Sequence, residues 1–360
     1  MSRLKKLVDL ARKTGVDAIM LTSEVNLHYA TKFPMLEGMV IVTADGRGVC
    51  FTDSRYIEAV TAQISPMGFE AIEPEGSYPT PATIRDYVKA NDIRTLGIED
   101  VRMSFAEYKI YEEILPCSLV PVSYGVEGLR RVKEPWELEQ IEKSQRVTER
   151  CLERLLPEIK PGAYEDELVA KLRYYMAMEG SENFAPGMIL VCGTTTSMPH
   201  GQPSHKQISE GDFVTIDYGA TVNGYFSDMT RTFGIGRVSD KMKDIYNIVL
   251  EAQLAGIDAF ACGKTGVEVD HAARSVIEKA GYGQYFGHGL GHTLGLEIHE
   301  NPRANRTDST VFQMYDIITI EPGIYIPGEF GVRIEDMVCL TPDGKRNLTR
   351  FPKELTILDV

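Results

Sequence analysis

The chain has 360 residues, of which 43% are hydrophobic and 25% are charged. This length allows two domains that each bury a sizeable core, and the composition is typical of an ordinary globular protein. The formal net charge of −14 argues against nucleic acid and against anionic membrane surfaces as partners, because both need a basic face on the protein.

The cysteines and the N-terminal segment indicate the compartment. The six cysteines are scattered without a Cys-x-x-Cys pair, which is typical of free thiols in a reducing environment. The first helix pattern (Leu4, Leu7, Leu10, Ala11) is amphipathic rather than an apolar signal core, and no run of about 18 apolar residues appears. We therefore expect a cytoplasmic protein.

The first 125 or so residues alternate helical and strand patterns. A helix over about 3–14 precedes an apolar strand at 17–21, and strands at 39–42 and 49–52 flank a turn at 44–46. This pattern predicts a small α/β domain over residues 1–125. His28 is its only histidine, and it contains few other candidate catalytic residues.

A long helix begins the remaining part of the chain, residues 126–360. Pro135 suits the first turn of this helix, and apolar or small residues between Leu138 and Leu155 supply one packing face. Two further helices are expected over 164–179 and about 267–280, each after a glycine-containing turn. We predict a second domain here.

Two segments of the second domain carry the same arrangement of carboxylates. One runs from Asp217 to Asp228 and the other from Glu321 to Glu335, and Asp217 and Glu321 are 104 residues apart. Each segment has the apolar run and the turn residues of a β-hairpin. The domain is therefore predicted to consist of two related halves that close around a shared site.

Hairpin geometry should bring these carboxylates together. In the first hairpin, a two-residue turn at Asn223-Gly224 places Gly219 opposite Asp228, so Asp217 becomes the diagonal neighbour of Asp228. The second hairpin, with a longer turn near residues 327–328, is expected to do the same for its two glutamates.

The burial of these acids calls for a cation. Most acidic side chains are solvated or cap turns, but Asp217 and Glu321 end apolar runs, where an unpaired charge is costly. Four converging carboxylates would also repel one another and raise their own pKa values. A bound cation removes both problems.

Histidines are concentrated near the acidic hairpins. Five of the seven lie there: His200, His205, His288, His292 and His299. A single histidine in an apolar setting is commonly a hydrogen-bonded core residue, and for His205 and His288 this alternative is left open. His292 and His299 lie in or beside a glycine-rich segment and precede acidic residues, so they are predicted to be functional.

One imidazole and four carboxylates form a hard, oxygen-rich ligand set. Such a set suits two divalent ions, with Mn²⁺ or Co²⁺ favoured and Zn²⁺ as an alternative, better than a thiolate zinc site. Two ions about 3.5–4 Å apart can hold a bridging hydroxide at neutral pH and polarise a carbonyl group. The ligand set therefore predicts hydrolysis.

At this point the sequence resembles a known family. The order Asp217, Asp228, His292, Glu321, Glu335 is similar to the ligand order of the pita-bread metallopeptidases, which include methionine aminopeptidase, Xaa-Pro aminopeptidase and Xaa-Pro dipeptidase (prolidase). The motifs at 289–292, 296–300, 319–323 and 331–336 resemble the Xaa-Pro branch, and those at 26–31 and 52–56 resemble the creatinase/prolidase N-terminal domain. The resemblance covers almost the whole chain and implies an α/β fold: a small creatinase-like domain followed by a pita-bread catalytic domain with an internal pseudo-two-fold repeat.

The resemblance also implies metal-binding roles. Asp217 would chelate one ion, and Asp228 and Glu335 would bridge both. His292 and Glu321 would complete the second ion's ligands, and Glu321 would also move the proton of the bridging water.

Further roles concern the substrate. His200 matches the histidine at the scissile amide, and His299 matches the one that supports the carbonyl oxygen as negative charge develops. His288 would line the substrate side, and Phe184 would contribute to the pocket for the N-terminal side chain. Arg303 resembles the prolidase carboxylate clamp, with an ordinary surface arginine as the alternative.

The expected function is that of a dinuclear metal-dependent exopeptidase. It would use a metal-bridged hydroxide to hydrolyse the Xaa-Pro bond at the N-terminus of short proline-containing peptides or dipeptides. The alternatives are a broader metalloaminopeptidase, a metal-independent amidinohydrolase like creatinase, and a pseudo-enzyme that only binds peptides. The resemblance further implies a homodimer, and neither nucleic acid nor membrane is expected as a partner.

Overall fold

The computed structural model describes residues 2–34, 36–75, 78–183 and 187–359. The chain divides into two compact units, Met1–Arg130 and Arg131–Val360. The predicted boundary at residue 125 coincides with the first residue of a helix, Gly125–Arg131, that ends just beyond this division. Residues 1–125 and 126–360 as separate folding domains therefore stay a prediction.

The first unit is built on a six-stranded mixed sheet with the spatial order β4-β3-β2-β1-β5-β6. The neighbours β1–β2 and β2–β3 are antiparallel, and the other neighbouring pairs are parallel. The strands are β1 (Ala18–Leu21), β2 (Gly38–Thr43), β3 (Gly48–Thr52), β4 (Phe69–Ile72), β5 (Thr95–Ile98) and β6 (Ser118–Pro121). The helices are α1 (Arg3–Thr14), α2 (Glu24–Thr31), α3 (Ile57–Ile64), α4 (Pro81–Ala90), α5 (Phe105–Ile114) and α6 (Gly125–Arg131).

Helix α1 illustrates how local sequence determines an element. The Ser2 hydroxyl accepts a hydrogen bond from the Lys5 backbone N–H (3.3 Å), and Gly15 ends the helix with a left-handed φ of 76°. Leu7 and Ala11, both part of the predicted amphipathic face, are fully buried. The predicted helix over residues 3–14 is confirmed.

The second unit contains two principal sheets, each covered by a pair of helices. The four-stranded sheet has the order β19-β11-β8-β7 and the five-stranded sheet β13-β12-β14-β17-β18, while β9–β10 and β15–β16 are short hairpin ends. The strands are β7 (Ile189–Cys192), β8 (Phe213–Tyr218), β9 (Thr221–Val222), β10 (Tyr225–Phe226), β11 (Met229–Ile235), β12 (Gly291–Thr293), β13 (Glu300–Ala304), β14 (Ile317–Ile320), β15 (Gly323–Ile326), β16 (Phe330–Arg333), β17 (Asp336–Thr341), β18 (Gly344–Asn347) and β19 (Ile357–Leu358). The helices are α7 (Pro135–Leu155), α8 (Glu165–Met178), α9 (Asp240–Ala259) and α10 (Gly266–Lys279).

Each half of the second unit has its own apolar core. One buried cluster joins α7 and α8 to the four-stranded sheet, with Leu152, Leu172 and Ile216 fully buried. The other joins α9 and α10 to the five-stranded sheet, with Ala273 and Ile320 fully buried. Two sheets, each backed by an apolar core, therefore carry the predicted acidic hairpins.

The two halves share a hydrogen bond between an aspartate side chain and a backbone N–H. The side chains of Asp212 and Asp316, which precede β8 and β14, each accept a hydrogen bond from the N–H three residues earlier, of Ser209 and Gln313 respectively (both 2.9 Å). The residue before each aspartate has a left-handed φ, of 89° and 68°. The internal repeat predicted from the carboxylates therefore extends to the turns that start these strands.

All six cysteines are free thiols. Among the described residues, no helix combines the length and the apolar character that crossing a membrane requires.

Candidate metal centre and substrate cavity

The first acidic hairpin has the predicted register. Its turn residues Asn223–Gly224 have positive φ angles of 49° and 76°, which suit a two-residue turn. Asp217 pairs with Thr230 in the ladder, and the same register places Gly219 opposite Asp228. Asp217 is therefore the diagonal neighbour of Asp228, as expected.

The second hairpin differs from its predicted geometry. Its turn occupies residues 327–329. Ile320 of β14 is paired with Asp336, and the pairing of β15 with β16 continues the same register. Glu321 and Glu335 consequently lie directly opposite each other and not diagonally. The longer turn and the wider spacing of the two acids, 14 residues instead of 11, cause this difference.

One cavity of about 500 Å³ in the second unit collects the predicted site residues. Nine of the ten line it, namely His200, Asp217, Asp228, His288, His292, His299, Arg303, Glu321 and Glu335. The tenth, Phe184, lies outside the described residues. Sequence positions up to 135 residues apart therefore meet in a space that a small peptide can enter.

Three of these residues form the tightest group of donor atoms. Asp228, His292 and Glu335 each offer an atom within 4.8 Å of the others. His292 Nε2 lies 3.6 Å from Asp228 Oδ2 and 3.4 Å from Glu321 Oε1. Its Nδ1 lies 3.1 Å from the Thr293 carbonyl oxygen, so Nδ1 carries the hydrogen and Nε2 is free to coordinate a metal.

Burial determines the protonation of this group. It lowers the pKa of His292 to about 3, so the ring is in the neutral form that binds metals. Burial and neighbouring carboxylates raise the pKa values of Asp228 and Glu335 well above their usual range, and burial raises that of Glu321 to about 8. These carboxylates are stable as anions only with a compensating positive charge, so the donor set fits divalent cations.

Arg333 completes the acidic side of the cavity, although the sequence pattern assigned it no role. Its Nη2 donates to Asp217 Oδ2 (2.6 Å) and its Nη1 to the hydroxyl oxygen of Tyr325 (2.8 Å). One signal was present in the sequence, because Arg333 is two residues before Glu335 and side chains at i and i+2 of an extended segment share a face. Arg333 thereby orients one predicted ligand.

His288 lines the cavity with both ring nitrogens engaged. Its Nδ1 lies 2.8 Å from the Gly289 carbonyl oxygen, and its Nε2 lies 2.9 Å from the Tyr325 hydroxyl. Burial lowers the pKa of His288 to about 4. His288 is therefore a neutral, fixed part of the wall.

The other histidines divide between cavity and surface. His200 and His299 are exposed within the cavity wall, and the His299 ring packs edge-on against His292, with 4.4 Å between ring centroids. His205 stacks on Tyr164 at 3.9 Å and lies 3.1 Å from Asp166 Oδ2. It is exposed and does not line the cavity, so His205 is a surface residue and neither a site residue nor the core residue of the alternative.

A buried ion pair holds the glycine-rich loop. Asp270 Oδ1 accepts from the Leu290 N–H (3.0 Å), and both Asp270 oxygens accept from the Arg274 guanidinium (2.7 and 2.8 Å). Arg274 also donates to the carbonyl oxygens of Phe286 and His288 (2.8 and 2.7 Å). These bonds fix the backbone that leads into β12 and His292.

Comparisons with known proteins identify the family. Residues 139–342 match metallopeptidase family M24. The chain belongs to this family. Residues 3–132 match the creatinase/prolidase N-terminal domain, so the resemblance to pita-bread metallopeptidases is confirmed and the protein is a metallopeptidase.

Relatives of this M24 metallopeptidase align over its full length. It is 37% identical over 362 residues to the Xaa-Pro dipeptidase of Pyrococcus furiosus, and the alignment covers 98% of this chain and 99% of the relative. The solved Xaa-Pro dipeptidase from Bacillus anthracis superposes with a TM-score of 0.94 at 38% identity over 99% of each chain. An X-Pro aminopeptidase from Thermotoga maritima superposes with a TM-score of 0.91 at 31% identity over 97% of this chain and 99% of that one. The predicted creatinase-like and pita-bread fold is confirmed, and family membership implies divalent metal ions.

Proposed function

We propose that this M24 metallopeptidase uses two divalent ions to hydrolyse the Xaa-Pro bond at the N-terminus of short peptides or dipeptides. The observation that carries the proposal is the convergence of all five predicted ligands and three histidines on one cavity. The printed names of the Pyrococcus furiosus, Bacillus anthracis and Thermotoga maritima relatives support proline in the second position of the substrate.

The metal ligands would divide as the family resemblance implies. Asp217 would bind one ion, Asp228 and Glu335 would bridge both, and His292 and Glu321 would bind the other. Mn²⁺ or Co²⁺ is proposed, with Zn²⁺ as the alternative, because oxygen-rich sites accept several first-row metals. Bound ions would supply Lewis acidity for activating water and polarising the scissile carbonyl.

Glu321 is proposed to hold and move the proton released from water. Its Oε1 accepts a hydrogen bond from the Thr319 hydroxyl (3.1 Å), and in the described part of the chain no hydrogen bond engages Oε2. A carboxylate within reach of an activated water can accept its proton and pass it on. Oε2 is therefore the atom assigned to the transfer.

His200 and His299 are proposed as donors to the substrate. The nitrogen of an Xaa-Pro bond carries no hydrogen, yet it must be protonated on leaving, and His200 would assist this step. His299 would donate to the carbonyl oxygen as negative charge develops there. Both side chains are exposed to the cavity and are therefore accessible to a peptide.

The remaining wall supplies candidate specificity groups. Arg303 is exposed at the cavity and is proposed to bind the C-terminal carboxylate of a dipeptide through its guanidinium. Met188 and Ile189, which the sequence patterns did not single out, form an apolar part of the same wall. A role for Phe184 in the N-terminal side-chain pocket stays a prediction.

The test compares three matched substrates after reconstitution with Mn²⁺: a Xaa-Pro dipeptide, a Xaa-Pro-Yaa tripeptide and a Xaa-Ala tripeptide. Cleavage of the dipeptide alone would identify a dipeptidase, and preferred cleavage of the Xaa-Pro tripeptide an aminopeptidase. Equal cleavage of Xaa-Ala would refute proline specificity and favour the broader metalloaminopeptidase.

Arg303→Ala tests the carboxylate clamp. It should raise KM for the dipeptide more than for an amidated dipeptide, because only the former offers a carboxylate. Arg306→Ala is the matched control, since Arg306 is exposed on the same segment but does not line the cavity. Equal effects of the two variants would remove the clamp assignment.

Metal dependence separates the remaining alternatives. Chelation should abolish hydrolysis, and Mn²⁺ or Co²⁺ should restore it, whereas turnover that resists chelation would refute the metal-dependent mechanism. Metal analysis of the purified protein would test the amidinohydrolase alternative. A metal-loaded protein that retains peptides uncut would favour the pseudo-enzyme. A homodimer is also proposed from the family resemblance, and sedimentation equilibrium would test it. A cytoplasmic location is proposed from the scattered cysteines and the amphipathic first helix.

A further inference from the structure

Two threonine hydroxyls contact the predicted ligand set from the interior of the second unit. Thr230 Oγ1 lies 2.7 Å from Glu335 Oε2 and 3.2 Å from Arg333 Nε. Thr319 Oγ1 lies 3.1 Å from Glu321 Oε1 and 3.0 Å from the backbone nitrogen of His292. Both threonines are fully buried, so water does not compete for these hydrogen bonds.

The chemistry of the partners determines which hydrogen bonds each hydroxyl accepts and which it donates. Arginine Nε and a backbone nitrogen can only donate, so Thr230 and Thr319 each accept one hydrogen bond from them. The single hydroxyl hydrogen is then left for the carboxylate oxygen of Glu335 or Glu321. Each hydroxyl is therefore a one-way donor to a carboxylate, which favours that oxygen as an unprotonated acceptor.

Each hydroxyl also joins two parts of the site. Thr319 couples the Glu321 carboxylate to the backbone of His292, so two predicted ligands of the same ion are held in register. Thr230 couples Glu335 to Arg333, whose Nη2 in turn binds Asp217. Four of the five predicted ligands are thus connected through two hydroxyls and one guanidinium.

We propose that Thr230 and Thr319 are positioning residues that orient the carboxylates of Glu335 and Glu321 for divalent-cation binding. The terminal torsion of a glutamate side chain is broad, so packing alone leaves the carboxylate plane poorly defined. A buried donor at one oxygen defines that plane and directs the other oxygen toward the cavity. The inference rests on the ligand set of the proposed function.

The internal repeat supplies a matched control. Thr215 is the counterpart of Thr319 at the offset of 104, and it is equally part of a buried strand. Its hydroxyl pairs instead with that of Thr232 (3.0 Å), away from the predicted ligands. Thr215→Val therefore removes a buried strand hydroxyl without removing a contact to a ligand carboxylate.

The experiment measures Co²⁺ binding to the metal-stripped full-length protein by calorimetry, together with the visible absorption spectrum of bound Co²⁺. Thr230→Val and Thr319→Val keep the side-chain shape and remove the hydroxyl. We expect Co²⁺ affinity about 10–100-fold below that of the unmodified protein and a changed spectrum, because partners that orient ligands typically contribute this much. Thr230→Ser and Thr319→Ser should restore both readouts, and Thr215→Val should leave both unchanged.

The outcomes distinguish the inference from the function on which it rests. Unchanged Co²⁺ affinity and spectrum in both valine variants, failure of serine to restore them, or an equal loss in Thr215→Val would overturn the positioning role. If the unmodified protein itself bound no Co²⁺, the ligand set and this inference would both be overturned. Co²⁺ binding that depends on the hydroxyls without cleavage of any Xaa-Pro peptide would support the inference while rejecting the substrate assignment. If a valine variant does not fold, the corresponding alanine variant, Thr230→Ala or Thr319→Ala, is measured in its place.

Discussion

Gly219 lies where the first acidic hairpin is narrowest, and we predict that Gly219→Ala disrupts the metal centre. A β-carbon at this position would lie 1.7 Å from the Ser227 carbonyl oxygen and 2.7 Å from the carbonyl carbon. Carbon and oxygen atoms that are not bonded approach to about 3.3 Å, so the two strands would have to separate by roughly 1.6 Å. The displaced strand carries Asp228 as its next residue.

The magnitude follows from the nature of the obstacle. Overpacking of a core costs about 1–3 kcal/mol when side chains can adjust, and here the obstacle is backbone, so the upper end applies. For a unit of this size each kcal/mol lowers the melting temperature by about 2–4 °C, so about 3 kcal/mol corresponds to a fall of about 6–12 °C. Mn²⁺ content should fall as well, because Asp228 moves with its strand.

The assay is thermal unfolding of the metal-free and Mn²⁺-loaded proteins, with metal content measured after dialysis. Gly287→Ala is the matched control, since Gly287 precedes the cavity residue His288 but a β-carbon there meets no atom within 4 Å. Its melting temperature and metal content should equal those of the unmodified protein. A Gly219→Ala protein with the same melting temperature and full metal content would refute the reasoning.

Three further predictions concern buried ionisable side chains. Arg231 donates all five of its N–H groups, to four carbonyl oxygens and Asp336. Arg231→Met should therefore lower the free energy of unfolding, measured in urea, by about 3–5 kcal/mol. The control Arg346→Met removes a surface ion pair and should change this free energy by less than about 1 kcal/mol. Asp270→Asn should lower the melting temperature by several degrees, because it removes the negative partner of buried Arg274; an unchanged value would show that the two carbonyl contacts of Arg274 suffice. Burial lowers the pKa of His28 from 6.5 to about 4, so between these pH values the unfolded chain binds more protons than the folded one. The free energy of unfolding therefore falls as the pH drops from about 6.5 toward 4, by about 3 kcal/mol in total. Between pH 7 and pH 5, urea unfolding should show a loss of stability that is about 2 kcal/mol smaller in His28→Gln than in the unmodified protein, and equal losses in both would contradict the prediction.

The sequence predicted most accurately what depends on neighbouring residues. The two-residue turn at Asn223–Gly224 set the register of the first hairpin, because positive φ angles at both turn positions leave little choice of turn type. The second hairpin was predicted less well, since its turn of three residues admits several registers and the diagonal pairing expected for Glu321 and Glu335 proved to be direct. Turn length, more than strand pattern, separated the two results.

The partners of the ligands were beyond local patterns. Arg333 and Tyr325 reach Asp217 and His288 across 116 and 37 positions of the chain, respectively. Neither periodicity nor composition distinguishes an arginine that binds a carboxylate in the cavity from one that faces solvent. Which side chains meet is decided by how the two hairpins and their loops pack.

The sequence by itself determined the order and spacing of the ligands, the apolar strands that carry them and the turns that start and end those strands. These features depend on backbone preferences and on side-chain alternation, which act within a few residues. Only the tertiary structure decided which buried groups complete the site, such as the hydroxyls of Thr230 and Thr319 and the guanidinium of Arg333. A buried polar atom must find a partner wherever packing places one. Thr230 and Arg333 contact ligands of the other half of the repeat, and Thr319 accepts from the backbone N–H of His292 on another strand.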